Sequence, residues 1–263
     1  MILRHRQIHQ ERNKMNMQEI ETLRSSVAKV FDRILIINLP FRSDRRVEIE
    51  GELNRIGLSL KDGSAEILSA SRFKDAGSFA SIGARGCFDS HVRALKAAYE
   101  RNSNGVLILE DDCDFIDDIR HKLPGVLHNL SVTQWSIFYG GHHSGAAPLN
   151  DLRGISMIAA NESLSATHFI AVSGRALPAL IPYLEAMAAR EPGSPLGGPM
   201  HIDGAYSWFR KDNPEFETWV AEPQLGFQRP SRTDIHQLRF YDRLVGLREA
   251  IDAIRRVKRK LRK

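Results

Sequence analysis

The run Val106-Leu107-Ile108-Leu109, followed at once by Glu110-Asp111-Asp112, constrains the fold more than any other stretch of this chain. Four consecutive large aliphatic residues suit a strand buried on both faces, as in the sheet of an α/β protein. Three carboxylates at its end repel one another at the edge of a core, and a cation or a hydrogen-bond network must offset that cost. Side chains alternate along a strand, so Glu110 and Asp112 are expected on one side and Asp111 on the other. Two carboxylates at the carboxyl end of a buried strand suit a hard divalent ion facing a phosphate. The competing account is a solvated acidic turn. Asp114, Asp117 and Asp118 read as surface residues.

A second aliphatic run, Ile34 to Leu39, is punctuated by Pro40 and Ser43. It leads into an amphipathic stretch from Asp44 to Ile56 that Gly57 ends, which predicts the strand, turn and helix opening a βαβ unit. Residues 58–85 read as loop with short strands. The next helix is predicted to start at Asp89-Ser90, either of which can cap it. After the acidic strand come a helical or loop piece (114–130), strands at 135–139 and 167–172, a helix over 176–189 and a turn-rich loop at 191–199. The organisation expected is a helical arm (1–30), a body (31–236) and a basic amphipathic C-terminal helix (237–263).

The net charge of +5 is local: residues 243–263 carry nine Lys/Arg against Glu249 and Asp252, so the remainder is slightly acidic. A body-wide cationic groove for nucleic acid is therefore not expected. The tail's apolar spacing suits an anionic membrane surface, a solvated helix or a dimer contact. No apolar run nears the roughly 18 residues that span a bilayer. The basic N-terminus lacks the apolar segment of a secretory signal. Two cysteines, Cys87 and Cys113, make no disulfide framework. The expectation is a cytoplasmic chain, with peripheral contact at the inner membrane through the tail.

Three blocks of residues are similar to glycosyltransferase family 25, the lipooligosaccharide β-galactosyltransferase-like family. They are Ile36-Ile37-Asn38-Leu39 with Arg42, Asp44, Arg45 and Arg46; Gly86-Cys87 with Ser90-His91 and then Leu107 to Asp112; and a looser set running from Thr167-His168-Phe169-Ile170 through Ile202-Asp203 to Glu222-Pro223 and Thr233-Asp234-Ile235. The resemblance covers residues 34–236, and its second block is the specific one. It implies a GT-A-like fold, a Rossmann-type α/β/α sandwich, here with helical N- and C-terminal extensions. It also implies a nucleotide-sugar donor, usually UDP-galactose, with Mn²⁺ or Mg²⁺, and inverting transfer to a lipopolysaccharide, lipooligosaccharide or other cell-surface glycan acceptor.

On that basis Glu110 and Asp112 are the expected metal ligands, with Asp111 on the ribose or acting through water. His201 is a candidate third ligand, because imidazole also suits Mn²⁺; its alternative is a structural histidine. Asp203, beside Gly204, Tyr206 and Trp208, is the candidate base for the acceptor hydroxyl, or else a helix cap. Arg42, Arg45 and Arg46 follow the first strand, where guanidinium can pair with a diphosphate or simply start a helix, and Asn38 and Asp44 have similar standing. His91 lines the donor pocket or covers a helix end. Cys87 reads as packed, and His142-His143 as a candidate contact to acceptor or pyrophosphate. Two other readings stay open: a metal-dependent phosphoesterase or nucleotidyltransferase using the same acids, and a non-catalytic nucleotide-sugar-binding protein.

Overall fold

The computed structural model describes residues 17–144 and 148–229. The aliphatic runs become β1 (Arg33–Asn38) and β3 (Gly105–Glu110), which pair in parallel as the second and third strands of an eight-stranded sheet. On the outer side of β1 lies β2 (Glu66–Ser69), also parallel. On the other side β8 (Ser165–Ser173) runs antiparallel between β3 and β5 (Ile137–His143). Beyond β5 come β9 (Thr218–Ala221), β7 (Ile155–Ile158) and β6 (Asn150–Leu152). This order brings the carboxyl ends of β1, β3 and β5 to the same edge as the amino end of β8. A two-stranded antiparallel ribbon, β4 (Cys113–Phe115) with β10 (Gly226–Gln228), joins the site described below through Gln228.

Strand alternation divides the core in two. Ile34, Ile36, Leu107, Leu109, Phe169 and Ala171 face one side. There they meet α1 (Met17–Val30), α2 (Ser43–Arg55) and α4 (Ile119–Val132). Leu35, Ile37, Val106, Ile108, Ile170 and Val172 face the other. That side is covered by α3 (Ile82–Glu100), α5 (Leu177–Ala189) and α6 (Ile202–Asp212). The architecture is the expected α/β/α sandwich. No helix among the described residues is long and apolar enough to cross a membrane. The predicted tail helix (237–263) and the Thr233-Asp234-Ile235 element lie outside the described residues.

Two boundaries differ from the sequence expectation. The helix expected to start at Asp89-Ser90 starts seven residues earlier, at Ile82, with the Ser81 hydroxyl accepting from Ala84 N at 3.0 Å. The loop expected through residue 85 thus ends at the helix cap; the chain stays helical through Gly83 and Gly86, and Gly86 serves a close approach to the loop after β2. The N-terminal arm is also less separate than expected over residues 17–30. Leu23, Val27 and Val30 are buried with Ile56, Leu123 and Leu127 in one cluster, so α1 completes the core. Leu23→Ala is expected to cost about 2–5 kcal/mol, read as a lower urea midpoint with an unchanged slope. A detached arm would show no change.

Candidate active site

The shared edge gathers the chemistry. Asn38 ends β1, Glu110 ends β3, and Asp111-Asp112 make the turn into β4. From the first turn of α2, Arg45 reaches inward and is nearly covered. Its Nη1 donates to Asp111 Oδ1 at 2.8 Å and stands 3.4 Å from Asp112 Oδ2. Asn38 Nδ2 donates to the other Asp111 oxygen at 2.7 Å, while Asn38 Oδ1 accepts from Arg46 Nε at 2.5 Å. A buried carboxylate held by a guanidinium and an amide is satisfied on both oxygens. Asn38, Arg45 and Asp111, predicted as separate ligand contacts, thus form one bonded set. Arg42 instead turns to exposed Asp44, whose carboxyl that guanidinium holds down at about 2.

The alternation expected of the three acids holds only in part. Glu110, still in the strand, faces the α3 side; Asp111 faces α2. Since the strand ends at Glu110, Asp112 follows turn geometry and comes to Arg45 beside Asp111. Glu110 Oε1 accepts from Thr167 Oγ1 at 2.9 Å and lies 3.7 Å from His91 Nε2, near enough for attraction and too far for a hydrogen bond. Burial pushes the Glu110 carboxyl up, but His91, His168 and Thr167 outweigh it and bring it below the usual range. For Asp112, burial and then the Glu110 charge outweigh Arg45 and push the carboxyl up to about 7. Asp112 Oδ2 also accepts from Gln228 Nε2 at 3.4 Å, but the buried Oδ1 has no hydrogen-bond partner among the described residues.

These acids open onto a cavity of about 340 Å³ whose walls include Phe41, Arg45, Arg72, Phe73, Cys87 and Gln228. One wall is the loop after β2, which α3 clasps. Ser90 Oγ accepts from Ser71 N at 2.8 Å and donates to Gly86 O at 2.6 Å, while Arg93 donates to Ser69 O. A Cβ on Gly86 would stand 2.6 Å from Ser71 O, so only glycine permits this approach. Ser90 is therefore a mid-helix clasp, not the N-cap expected. On the rim, the Arg72 guanidinium lies over the Phe41 ring, which is 55% exposed, at 4.9 Å.

His91 is completely buried in α3, its Nδ1 3.4 Å from Tyr206 Oη. Cys87, one helical turn earlier, shares its face. Cys87 Sγ, His91 and Glu110 offer ligand atoms within 4.8 Å of one another. Burial, with the charges of Glu110, Asp203 and Asp112, pushes the thiol well above its ordinary value. Asp203 sits half-buried in the first turn of α6, Oδ1 accepting from Gly204 N at 2.8 Å. It is the second residue of the helix and does not cap it, since His201 holds the N-cap position, and its charge reaches Cys87 and Tyr139. His201 precedes that helix, exposed, and is not among the cavity walls.

Sequence reasoning missed Thr167 and His168 as site residues, and it misplaced Asp114. His168 is buried opposite Glu110 across the β3–β8 pair; burial pushes its imidazole down, against the pull of Glu110. Gly141 makes room for it: a Cβ there would meet His168 Nε2 at 2.3 Å. Asp114, expected on the surface, is fully buried with Arg229, whose Nε donates to Oδ1 at 2.9 Å while its backbone N–H donates to Asp112 O. That partner lies 115 residues away and no local pattern announces it.

No family model matches the chain. Procollagen galactosyltransferase 1-B of Xenopus laevis is 30% identical over 129 residues, 42% of this chain and 21% of its own length. Procollagen galactosyltransferase 2 of Homo sapiens has the same identity over the same shares. The chain spans about a fifth of the length of the curated relatives it matches. Among solved structures, a UDP-glucose pyrophosphorylase complexed with UDP-glucose superposes at a TM-score of 0.40, with 10% identity over 80% of each chain. A glycosyltransferase involved in glycosylation of the PBCV-1 major capsid superposes at 0.34, with 14% identity over 72% of this chain and 92% of that one. Superpositions this loose carry no argument about function.

Removing the Arg45 guanidinium strands the Asp111 charge in a buried position. Arg45→Ala is expected to cost about 3–5 kcal/mol, measured by denaturant unfolding. Arg45→Leu combined with Asp111→Leu should recover part of that loss, because the Asp111 charge is gone, while Asp112 still loses the guanidinium 3.4 Å away.

Proposed function

We propose that this chain is a nucleotide-sugar-dependent glycosyltransferase that moves a hexose, galactose in the first instance, onto a glycan acceptor at the cell surface. The observation that carries the reading is Asp112: a buried carboxylate with one oxygen unpartnered among the described residues, at the carboxyl ends of β1 and β3, on the wall of a cavity of about 340 Å³. The likeness to procollagen galactosyltransferases supports the galactosyl donor. Hard carboxylate oxygens and an unsatisfied buried acceptor fit a divalent ion such as Mn²⁺ or Mg²⁺, which Glu110 and Asp112 would hold. Once bound, that ion would supply Lewis-acid neutralisation of charge on the departing nucleoside diphosphate.

The chain's own groups divide the remaining work. Arg45 and Asn38 lock Asp111 and so set the turn from which Asp112 projects. Thr167 and His91 keep Glu110 ionised and oriented. Phe41 and Phe73 give the cavity apolar ring faces suited to a base or sugar. Asp203 is assigned as general base. The acceptor oxygen attacks the anomeric carbon and loses its proton to the Asp203 carboxylate. The bond from that carbon to the diphosphate breaks, its electron pair leaves with the nucleotide, and the configuration inverts. His201 is the further candidate ligand at the start of α6, and Arg42 the further candidate for the diphosphate.

Asp112→Asn is expected to abolish Mn²⁺-dependent transfer of radiolabelled galactose while leaving the melting temperature within a few degrees of the parent. Full activity in that variant overturns the metal assignment. Nucleotide release should require a sugar acceptor. Equal release without one marks a hydrolase or nucleotidyltransferase, and donor binding with neither marks a non-catalytic binder.

A further inference from the structure

Cys87 and His91 stand one turn apart on the buried face of α3, and Glu110 comes to them from the end of β3. Bond lengths of about 2.0–2.3 Å at tetrahedral angles put zinc ligands roughly 3.3–3.8 Å from one another. His91 Nε2 and Glu110 Oε1, at 3.7 Å, already stand at that spacing. The imidazole is wholly buried, and among the described residues Nε2 has no hydrogen-bond partner although it lies 3.7 Å from a carboxylate oxygen. A buried nitrogen left so is costly unless something else fills its lone pair.

The surroundings match what a metal-bound histidine and carboxylate require. His91 Nδ1 faces Tyr206 Oη at 3.4 Å, so its N–H can turn to that phenol and leave the Nε2 lone pair pointing at Cys87 and Glu110. Thr167 Oγ1 donates at 2.9 Å to the same Glu110 oxygen, Oε1, and so orients it. Cys87 and Glu110 also wall the cavity, which gives an ion a route in and leaves a fourth position open to the cavity.

We infer that Cys87, His91 and Glu110 form a three-ligand site for a thiophilic divalent metal, zinc by preference. It is separate in donor chemistry from the oxygen-only pair Glu110–Asp112, although Glu110 belongs to both. One thiolate, one imidazole and one carboxylate select zinc over manganese or magnesium. The site stands on ligand geometry and does not depend on transfer taking place.

The test uses the full chain without donor or acceptor. Protein stripped with a chelator is titrated with Zn²⁺ and, separately, with Co²⁺. The expected result is one Zn²⁺ per chain and, for Co²⁺, a near-ultraviolet thiolate-to-cobalt absorption band. Cys87→Ser should abolish the band and weaken Zn²⁺ by at least tenfold. His91→Gln should weaken it comparably, and Tyr206→Phe should weaken it about 10–100-fold with the band retained. Asp112→Asn should keep the band, whatever becomes of transfer activity, so failure here and failure of the transferase reading are told apart. Circular dichroism melts of each apo variant confirm folding. A cobalt complex without the band, Zn²⁺ affinity unchanged in Cys87→Ser, or loss of the band in Asp112→Asn overturns the inference.

Discussion

The ion pair between Arg45 and Asp111 is the interaction on which the acidic edge rests. Three consecutive carboxylates at the end of a buried strand would repel one another and seek water, and the edge would open. One guanidinium, brought in by α2, meets Asp111 at 2.8 Å and lies 3.4 Å from Asp112. With Asn38 on the other Asp111 oxygen, the middle acid is neutralised and saturated. Asp112 can then stay buried with one oxygen unpartnered among the described residues, and Glu110, on the same cavity, is left to a different set of partners. A pair this deep contributes little net stability over apolar residues, but losing one partner is costly. Its role is to hold the turn in one shape.

The sheet makes the division of labour possible. Because β8 is inserted antiparallel between β3 and β5, its amino end arrives where the parallel strands finish. Thr167 and His168 therefore stand beside Glu110. Glycines decide how closely the pieces fit: Gly86 lets α3 touch the loop that walls the cavity, and Gly141 leaves the space that His168 occupies. In both cases the absent side chain matters because backbone or ring atoms lie under 3 Å from where a Cβ would stand. The helix α3 that clasps the loop also carries Cys87 and His91, so one element serves both the cavity wall and the proposed metal site.

Legibility followed the range of the forces involved. The two aliphatic strands, α2, the strand now seen as β8 and α5 could be read because burial on both faces, or on one helical stripe, writes itself into consecutive residues. The start of α3 could not, because Gly83 and Gly86 imitate a loop when their packing partners are unseen. Asp114 looked like one more surface acid until Arg229 was found against it. Ser90 looked like a cap because its true partner, the backbone of Ser71, lies on another element.

Sequence alone determined the α/β class, the position of the acidic edge and the carboxylates that stand there. Hydrophobic periodicity and the cost of adjacent charges are local quantities. Tertiary structure decided what each eligible residue does. It joined Asn38, Arg45 and Asp111 into a brace, left one oxygen of Asp112 without a partner among the described residues, set His201 apart from the cavity walls, and placed Cys87 and His91 against Glu110. Those outcomes depend on which side of a sheet a side chain leaves and on what a distant element brings to meet it. A linear string of residues does not encode such proximity in any local pattern.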